Sequence, residues 1–327
     1  MLEQLKVLVT GGAGYIGSHV CSALAAKGCL PITYDNLSRG NRWAVKWGPL
    51  EEGDIGDVGR MRTVLEKYRP SALMHLAAYA YVGESVKQPL AYYQNNFTAT
   101  VALLRTIIEV EQIPVVFSSS CATYGLPARV PIAEDHPQLP INPYGHSKLF
   151  VERLLSDLRI AYGLQSVSLR YFNAAGADPG GEIGEAHDPE THLIPLAVMA
   201  ACKGAVVRIF GNDYPTADGT CVRDFVHVAD IADAHVRSLE YLLQGGESSA
   251  FNLANARGYS VKEVIAAAER VCGRPIRVEI KGRRIGDPPI LIGDSNRARA
   301  TLGWQPQRSE LQTLIRDAWN WIKQASK

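Results

Sequence analysis

Apolar positions in the first half of the chain fall into short blocks separated by longer stretches of helical spacing. Lys6-Val-Leu-Val-Thr10 is apolar and rich in β-branched side chains, the pattern of a buried strand. A glycine-rich turn, residues 11–17, follows it, and a helical pattern then runs through Ala25 to Gly28. The alternation repeats: strands at 30–34, at a third site ending near 52–55, at 72–76, at 115–117 and at 165–170. Between them lie helical patterns from about Pro89 to Glu111 and from Asn142-Pro143 to Tyr162. Strands alternating with helices predict an α/β fold with a parallel, doubly wound Rossmann sheet.

After Arg170 the rhythm changes. Residues 173–192 are rich in Gly, Pro and charge and read as an excursion with little local structure. Beyond it come a helix at 193–203, a strand at 206–210, a loop at 211–222, and helices near 229–243, 260–272 and 308–324. This predicts a large domain over 1–172 and a smaller C-terminal α/β lobe over 173–327, with some segments returning to the large domain. No internal repeat or low-complexity tract is visible.

At 327 residues the chain exceeds the usual size of one core, in keeping with that division. Hydrophobic residues make up 46% and charged residues 20%, values ordinary for a globular protein. The net charge is +1 and no basic stripe with interleaved aromatics occurs, which argues against nucleic acid or an anionic membrane as partner. No apolar run is long enough to span a bilayer. The first residues run directly into a strand without room for a signal peptide, so a cytoplasmic location is expected. Cys21, Cys29, Cys121, Cys202, Cys221 and Cys272 include no C-x-x-C pair and read as reduced thiols. Neither a disulfide framework nor a metal site is expected.

The candidate chemistry begins at the glycine turn. Strand, glycine turn and helix in succession make a setting in which backbone amides approach a pyrophosphate at a helix N-terminus. Gly11, Gly14 and Gly17 also satisfy G-x-x-G-x-x-G. Asp35, at the end of the second strand, suits the adenosine ribose hydroxyls and repels a 2′-phosphate, which favours NAD over NADP. Arg39 and Arg42 follow closely and soften that preference. Asp54 can face an adenine amino group, and Ala77-Ala78 would let a dinucleotide lie against the backbone. His75 reads as a core histidine at a strand end. The polar run Ser118-Ser119-Ser120-Cys121-Ala122-Thr123-Tyr124-Gly125 lies at the C-terminal end of a strand, where such sheets bind ligands. Tyr144 and Lys148 lie four apart on a helix and share a face. An ammonium beside a phenol lowers its pKa towards neutrality and makes it a usable base. A plain surface contact has the same spacing.

Thr10-Gly11-x-x-Gly14-x-x-Gly17, Asp35, Ser120 and Tyr144-x-x-x-Lys148, in this order, resemble the extended short-chain dehydrogenase/reductases. Within them the chain is most similar to the UDP-glucose 4-epimerases. The similarity extends through Asp35-Asn36-Leu37, Val82-Gly83-Glu84-Ser85-Val86, Leu169-Arg170-Tyr171-Phe172-Asn173 and Ile209-Phe210-Gly211-Asn212-Asp213-Tyr214-Pro215-Thr216. It continues in Asp218-Gly219-Thr220-x-Val222-Arg223-Asp224 and Arg283-Arg284-x-Gly286-Asp287.

The resemblance implies an isomerase that oxidises C4 of a UDP-sugar with NAD, lets the 4-keto sugar turn over, and returns the hydride to its other face. It assigns Tyr144 as the base, Lys148 as its helper and a ribose contact, and Ser120 as a partner of the 4-oxygen. By position it carries cofactor contacts to Gly11, Gly14, Tyr15, Ile16, Gly17, Asp35, Asn36, Asp54, Ile55, Leu76, Ala77, Ala78, Asn95, Ser118, Tyr144, Lys148 and Tyr171. It carries substrate contacts to Ser120, Tyr144, Phe172, Asn173, His192, Leu193, Arg208, Phe210, Arg223, Phe225, Arg284, Asp287 and Leu291. Arginines suit a diphosphate because a guanidinium can bind two oxygens at once. A homodimer paired through two helices of the large domain is the family's common assembly.

The chain departs from the family pattern at several positions. Ala80 replaces a lysine found in some members near the cofactor phosphates. His192-Leu193 stands for Asn-Leu, and Phe225 for Tyr. Leu291, at the position that gates N-acetyl sugars, is of intermediate size. The Cys121–Gly125 variant also resembles epimerases of UDP-xylose and UDP-arabinose, so a UDP-pentose or UDP-uronate 4-epimerase remains open. A 4,6-dehydratase would call for an acid just after Ser120, and Cys121, Ala122 and Thr123 supply none. A non-enzymatic NAD sensor on the same fold usually lacks the tyrosine or the lysine, and both are present.

Overall fold

The structure is a computed structural model that describes residues 2–284 and 287–325. Its first element, β1 (Lys6–Thr10), lies inside a seven-stranded parallel sheet. The glycine turn leads to α1 (Tyr15–Ala26), and then to β2 (Leu30–Asp35) and β3 (Leu50–Glu52) on one side of β1. After α2 (Val58–Tyr68) the chain crosses to the other side with β4 (Ala72–His75).

Short helices α3 (Val82–Lys87) and α4 (Pro89–Tyr93) precede α5 (Ala99–Val110). The expected single helix over 89–111 is interrupted by a π turn at Gln94–Thr98. Such turns insert one extra residue per helical turn and re-aim side chains, often at functional sites. Next are β5 (Val115–Ser120), α6 (Pro143–Tyr162) and β6 (Ser166–Tyr171).

Apolar side chains alternate across the strands as a period of two requires. Val7 and Val9 enter a core with Val20, Leu24, Ile231, Leu239 and Trp304 on one face. Leu8 enters a second core with Met61, Leu65, Leu103, Phe117 and Leu155 on the other. Both faces are covered, as a parallel sheet needs. β5 runs three residues further than the apolar run at 115–117 indicates, because Ser118–Ser120 keep pairing with β6 up to Ser120 opposite Tyr171. Ladder hydrogen bonds hold these hydroxyl residues in the sheet where the apolar pattern stops.

The second half begins with β7 (Asn173–Ala175), α7 (Leu193–Lys203), β8 (Val206–Phe210) and β9 (Val222–His227). Helix α8 (Val228–Leu243) packs back on α1, and β10 (Ser249–Leu253) pairs with β6 to complete the large sheet. Segments returning to the large domain were expected, but β10 carried no strand reading of its own. The final order is β10-β6-β5-β4-β1-β2-β3. The chain reverses direction around β1 and β4, and ligands bind in the crevice beyond such a switch point.

The smaller lobe contains β11 (Gly258–Ser260), α9 (Val261–Cys272), β12 (Arg277–Lys281) and β13 (Ile290–Leu291). It ends with α10 (Asn296–Leu302) and α11 (Leu311–Ala325). Helices α7, α9 and α11 share an apolar core. Strand β9 is the hub: it pairs with β7, β11 and β13, setting Asn173 opposite Phe225 and Leu291 opposite Arg223. Next to them Asp224 accepts backbone N–H groups from Asn255, Ala256 and Gly293 at 2.8, 3.1 and 3.3 Å.

Candidate active site

The glycine turn is built for close approach. Gly11 has φ +76°, and a Cβ there would lie 2.6 Å from the Ala77 nitrogen. A Cβ on Gly17 would lie 2.0 Å from the Gly11 carbonyl oxygen. Side chains at either position would fill the cradle above the switch point, where Leu76, Ala77 and Ala78 leave β4. Tyr15 starts α1 and donates its hydroxyl to the Gly176 carbonyl at 2.7 Å, linking the turn to the excursion beyond β7.

Asp35 turns into this cradle. Its carboxylate accepts the N–H groups of Ala13 at 3.0 Å and Leu37 at 2.9 Å, while burial raises its pKa. Asp54, just past β3, accepts the Asn36 amide at 2.8 Å. Ile55 beside it is buried. The two arginines that softened the NAD reading are already paired. Arg39 binds Glu84 at 2.7 Å, and Arg42 binds Glu52. A small-residue cradle with a carboxylate at the end of β2 and with Arg39 and Arg42 both paired fits NAD.

Helix α6 carries the catalytic candidates. Asn142 caps it by accepting the Gly145 N–H at 2.8 Å, and Pro143 occupies its first turn. Tyr144 and Lys148 are both buried, which excludes the reading of a surface pair. Lys148 donates to the Ser118 carbonyl at 2.8 Å and lies 5.9 Å from the centre of the Tyr144 ring. Ser120 ends β5, and its hydroxyl accepts the Ala122 N–H at 3.1 Å. The Ser118 hydroxyl is hydrogen-bonded to that of Tyr171, so the serines, Tyr144, Lys148 and Tyr171 meet at the C-terminal ends of β5 and β6.

The electrostatics correct one expectation. Lys148 does not bring Tyr144 towards neutrality. Burial pushes the phenol up to about 12, with the Ser120 hydroxyl opposing it. Burial also pulls Lys148 down to about 7, against the pull of the Glu152 carboxylate. Stripping water from the phenolate outweighs an ammonium that is turned to the Ser118 carbonyl.

His75 is a core histidine. Its ring nitrogens meet Thr10 at 2.7 Å and Thr100 at 2.9 Å, and burial lowers its pKa to about 3.

The lobe residues gather around β9. Phe172 packs with Cys121, Tyr124, Ile132 and Ala254, and Leu291 lies against that cluster. Asn173 donates to the Asp224 carbonyl at 2.7 Å, and Phe225 is buried. Arg223 is paired with Asp287, and Arg284 stacks on Phe210 with its guanidinium 3.9 Å from the ring centre. Arg208 is exposed and held loosely by Glu279 at 3.5 Å. Gly286 of the Arg283–Asp287 motif lies outside the described residues. His192 immediately precedes α7 and its ring binds Glu185, and Leu193 is the first residue of that helix. Burial works against charge on His192, but Glu185 and Glu190 raise its pKa to about 9.

Two sets of residues escaped the sequence reading. Glu152, one turn beyond Lys148, binds Arg170 at 2.6 Å and Ser119, locking β5 and β6 to α6. Its signal was the continued i, i+4 spacing. Asn96, not Asn95, is the structural hub of the π turn. It bonds both backbone polar groups of Tyr79, at 2.8 and 2.9 Å, and Ser147 at 3.0 Å, while Asn95 only donates to Asn96 at 2.9 Å.

Comparison with known proteins agrees with this geometry. A model of the NAD dependent epimerase/dehydratase family matches residues 7–254. A curated relative, a UDP-glucose 4-epimerase of Rhizobium leguminosarum bv. trifolii, is 54% identical over 316 residues, 96% of each chain. The crystal structure of a UDP-glucose 4-epimerase from Brucella ovis in complex with NAD is 51% identical, with a TM-score of 0.94 and coverage of 96% of this chain and 97% of that one. A UDP-glucose-4-epimerase from Stenotrophomonas maltophila, with bound NAD and formylated UDP-arabinopyranose, is 37% identical at a TM-score of 0.95, covering 99% of each chain. With its glycine cradle, its buried tyrosine and lysine and its match over most of the length, the chain belongs to the NAD dependent epimerase/dehydratase family.

Proposed function

We propose that the chain is an isomerase that interconverts UDP-glucose and UDP-galactose with NAD. The observation that carries this is the burial of Tyr144, Lys148 and Ser120 together at the C-terminal ends of β5 and β6, in the same sheet as the glycine cradle. NAD, when bound, supplies the acceptor and the donor for the hydrogen at C4. The remaining work belongs to the chain. Gly11, Gly14, Gly17 and the N-terminus of α1 with Tyr15 and Ile16 hold the pyrophosphate, and Asp35 and Asn36 the adenosine ribose. Asp54 and Ile55 face the adenine. Leu76 to Ala78, Asn95, Ser118 and Tyr171 line the rest of the cofactor groove.

Tyr144 takes the proton from the sugar 4-hydroxyl and later returns it, and Ser120 hydrogen-bonds the 4-oxygen. Lys148 holds the nicotinamide ribose. Arg223, Arg284 and Arg208 bind the diphosphate side, with Asp287 aligning Arg223. Phe172, Asn173, His192, Leu193, Phe210 and Phe225 enclose the nucleotide, and Leu291 borders the sugar. A firm hold on UDP and a loose hold on the hexose let the 4-keto sugar turn over before reduction.

In this reading residues 1–172 form the cofactor domain and 173–327 the substrate lobe, with α8 and β10 returned to the former. A cytoplasmic homodimer is part of it. Val101 on α5 and Phe150 on α6 are exposed apolar side chains, and Phe150 stacks with Tyr93, which supports pairing through those helices. Among the described residues no helix is long and apolar enough to cross a membrane.

A substrate panel of UDP-glucose, UDP-N-acetylglucosamine, UDP-xylose and UDP-glucuronate tests the proposal, together with the NAD released on denaturation. UDP-glucose turned over fastest, with about one NAD per chain, is the expected result. Preference for the pentose would move the assignment to a UDP-pentose epimerase. An empty site, releasing no NAD on denaturation, would move it to a sensor.

A further inference from the structure

The excursion between β7 and α7 reads in sequence as unstructured, yet it draws four ligand-type side chains together. Glu185, His187, Glu190 and His192 each offer one ligand atom, and these atoms all lie within 4.8 Å of one another. They form two i, i+2 pairs, Glu185-x-His187 and Glu190-x-His192, on either side of Asp188-Pro189.

Two polar atoms in this cluster are buried without a hydrogen-bond partner. Glu185 is 7% exposed, and while its Oε1 meets both imidazoles, its Oε2 bonds to nothing. His187 Nδ1 stands 2.9 Å from Glu185 Oε1 but is not aligned for a hydrogen bond. Unpaired buried polar atoms are costly, and native proteins seldom leave them without a partner. Among the described residues neither carboxylate pairs with a lysine or arginine; Glu185 meets the two imidazoles, and Glu190 accepts two backbone N–H groups. A divalent cation would balance the two carboxylates with both imidazoles neutral.

We propose that Glu185, His187, Glu190 and His192 form a binding site for a divalent transition-metal ion of the zinc type. Imidazole ligands favour zinc and its neighbours over magnesium or calcium. In a tetrahedral zinc site with bonds of about 2.1 Å the ligands stand about 3.4 Å apart, so the widest pair here closes by roughly 1.4 Å or less on binding. The scaffold is braced. Trp321 donates its indole N–H to the Glu185 carbonyl at 2.8 Å, and Glu190 accepts the N–H groups of Thr191 and His192 at 2.6 and 2.8 Å. The ion cross-links the two ends of the segment 185–192 and thereby fixes the start of α7. His192, placed beside the nucleotide above, also serves as a ligand here.

The test uses tag-free, NAD-loaded protein, stripped with a chelator and dialysed against zinc chloride at neutral pH with magnesium in excess. Metal content, zinc affinity and X-ray absorption are then measured. The wild-type chain is expected to retain about one zinc in a nitrogen/oxygen shell with imidazole scattering. His187→Ala and Glu190→Gln each weaken binding at least about tenfold, since each removes a ligand. Both variants alter partly exposed side chains, so they keep their fold and NAD content, whereas Glu185 is avoided because it is buried. Failure of the wild type to retain zinc, undiminished affinity in either variant, or a sulphur shell that places the metal on a cysteine overturns the proposal.

Discussion

Lys148 stands 5.9 Å from the centre of the Tyr144 ring, with its ammonium donated at 2.8 Å to the Ser118 carbonyl. The protein alone therefore leaves the phenol near 12 and the ammonium near 7, both set mainly by burial. A positive charge added at the cradle stabilises the phenolate. In an ultraviolet titration, NAD-loaded protein should show a tyrosinate that forms well below the pH needed in cofactor-free protein. The Tyr144→Phe variant should lack it. Because the base is the anion, kcat/KM of the loaded enzyme should fall as pH drops through that ionisation.

Tyr144→Phe removes the proton acceptor without opening a cavity. Turnover should fall by about 10³, within the range of a lost general base. Bound NAD and UDP affinity should remain near wild-type values by absorbance and calorimetry. Retention of most activity would take Tyr144 out of its role.

Discrimination against NADP rests on Asp35 and on Arg39 being held by Glu84. Cofactor-free protein should bind NAD better than NADP in an equilibrium titration. The double variant Asp35→Ser with Glu84→Ala frees the guanidinium beside a neutral side chain. The preference should then shrink at least about tenfold, a change of about 1.4 kcal/mol.

Asp224 is fully buried and satisfies three backbone N–H groups. Asp224→Ala orphans all three and should cost about 3 kcal/mol or more in urea unfolding. Burial raises the Asp224 pKa to about 7, above the unfolded value, despite those donors. Between about pH 4 and 7 the folded state then holds the extra proton, so this residue's contribution to stability declines as pH rises through that window. Asp224→Asn should flatten that slope.

Leu291 lies against the cluster of Cys121, Tyr124, Ile132, Phe172 and Ala254. Its intermediate size should leave UDP-N-acetylglucosamine a poor substrate. Leu291→Ser should raise the rate on that sugar relative to UDP-glucose by about tenfold, the scale of a few methylenes in a pocket. Equal rates in the wild type would contradict this.

Much of the site was legible because its signals are local. Gly11 to Gly17 announce a tight turn by composition, and Tyr144 and Lys148 announce a shared face by spacing. The helix expected around 193–203 and the strand at 206–210 both form where the pattern put them. Other features left no local mark. The length of β5 past Phe117 depends on pairing with β6, and β10 becomes a strand only because β6 offers an unpaired edge. The π turn that seats Asn96 looks like ordinary helix in sequence.

The doubly wound order of elements, the glycine cradle and the shared face of Tyr144 and Lys148 were legible in the chain because each follows from short-range spacing and backbone sterics, and Ser120 joined them through the family resemblance. Ionisation, by contrast, is set by packing. Desolvation is a property of everything packed around a group, and it reversed the direction expected for Tyr144. The tertiary structure likewise decided that Arg39 and Arg42 are neutralised, that Arg223 meets Asp287 across 64 positions, and that Glu185 and His192 close on one another. Contacts between distant residues depend on how strands and loops are brought together, and no local pattern encodes that distance.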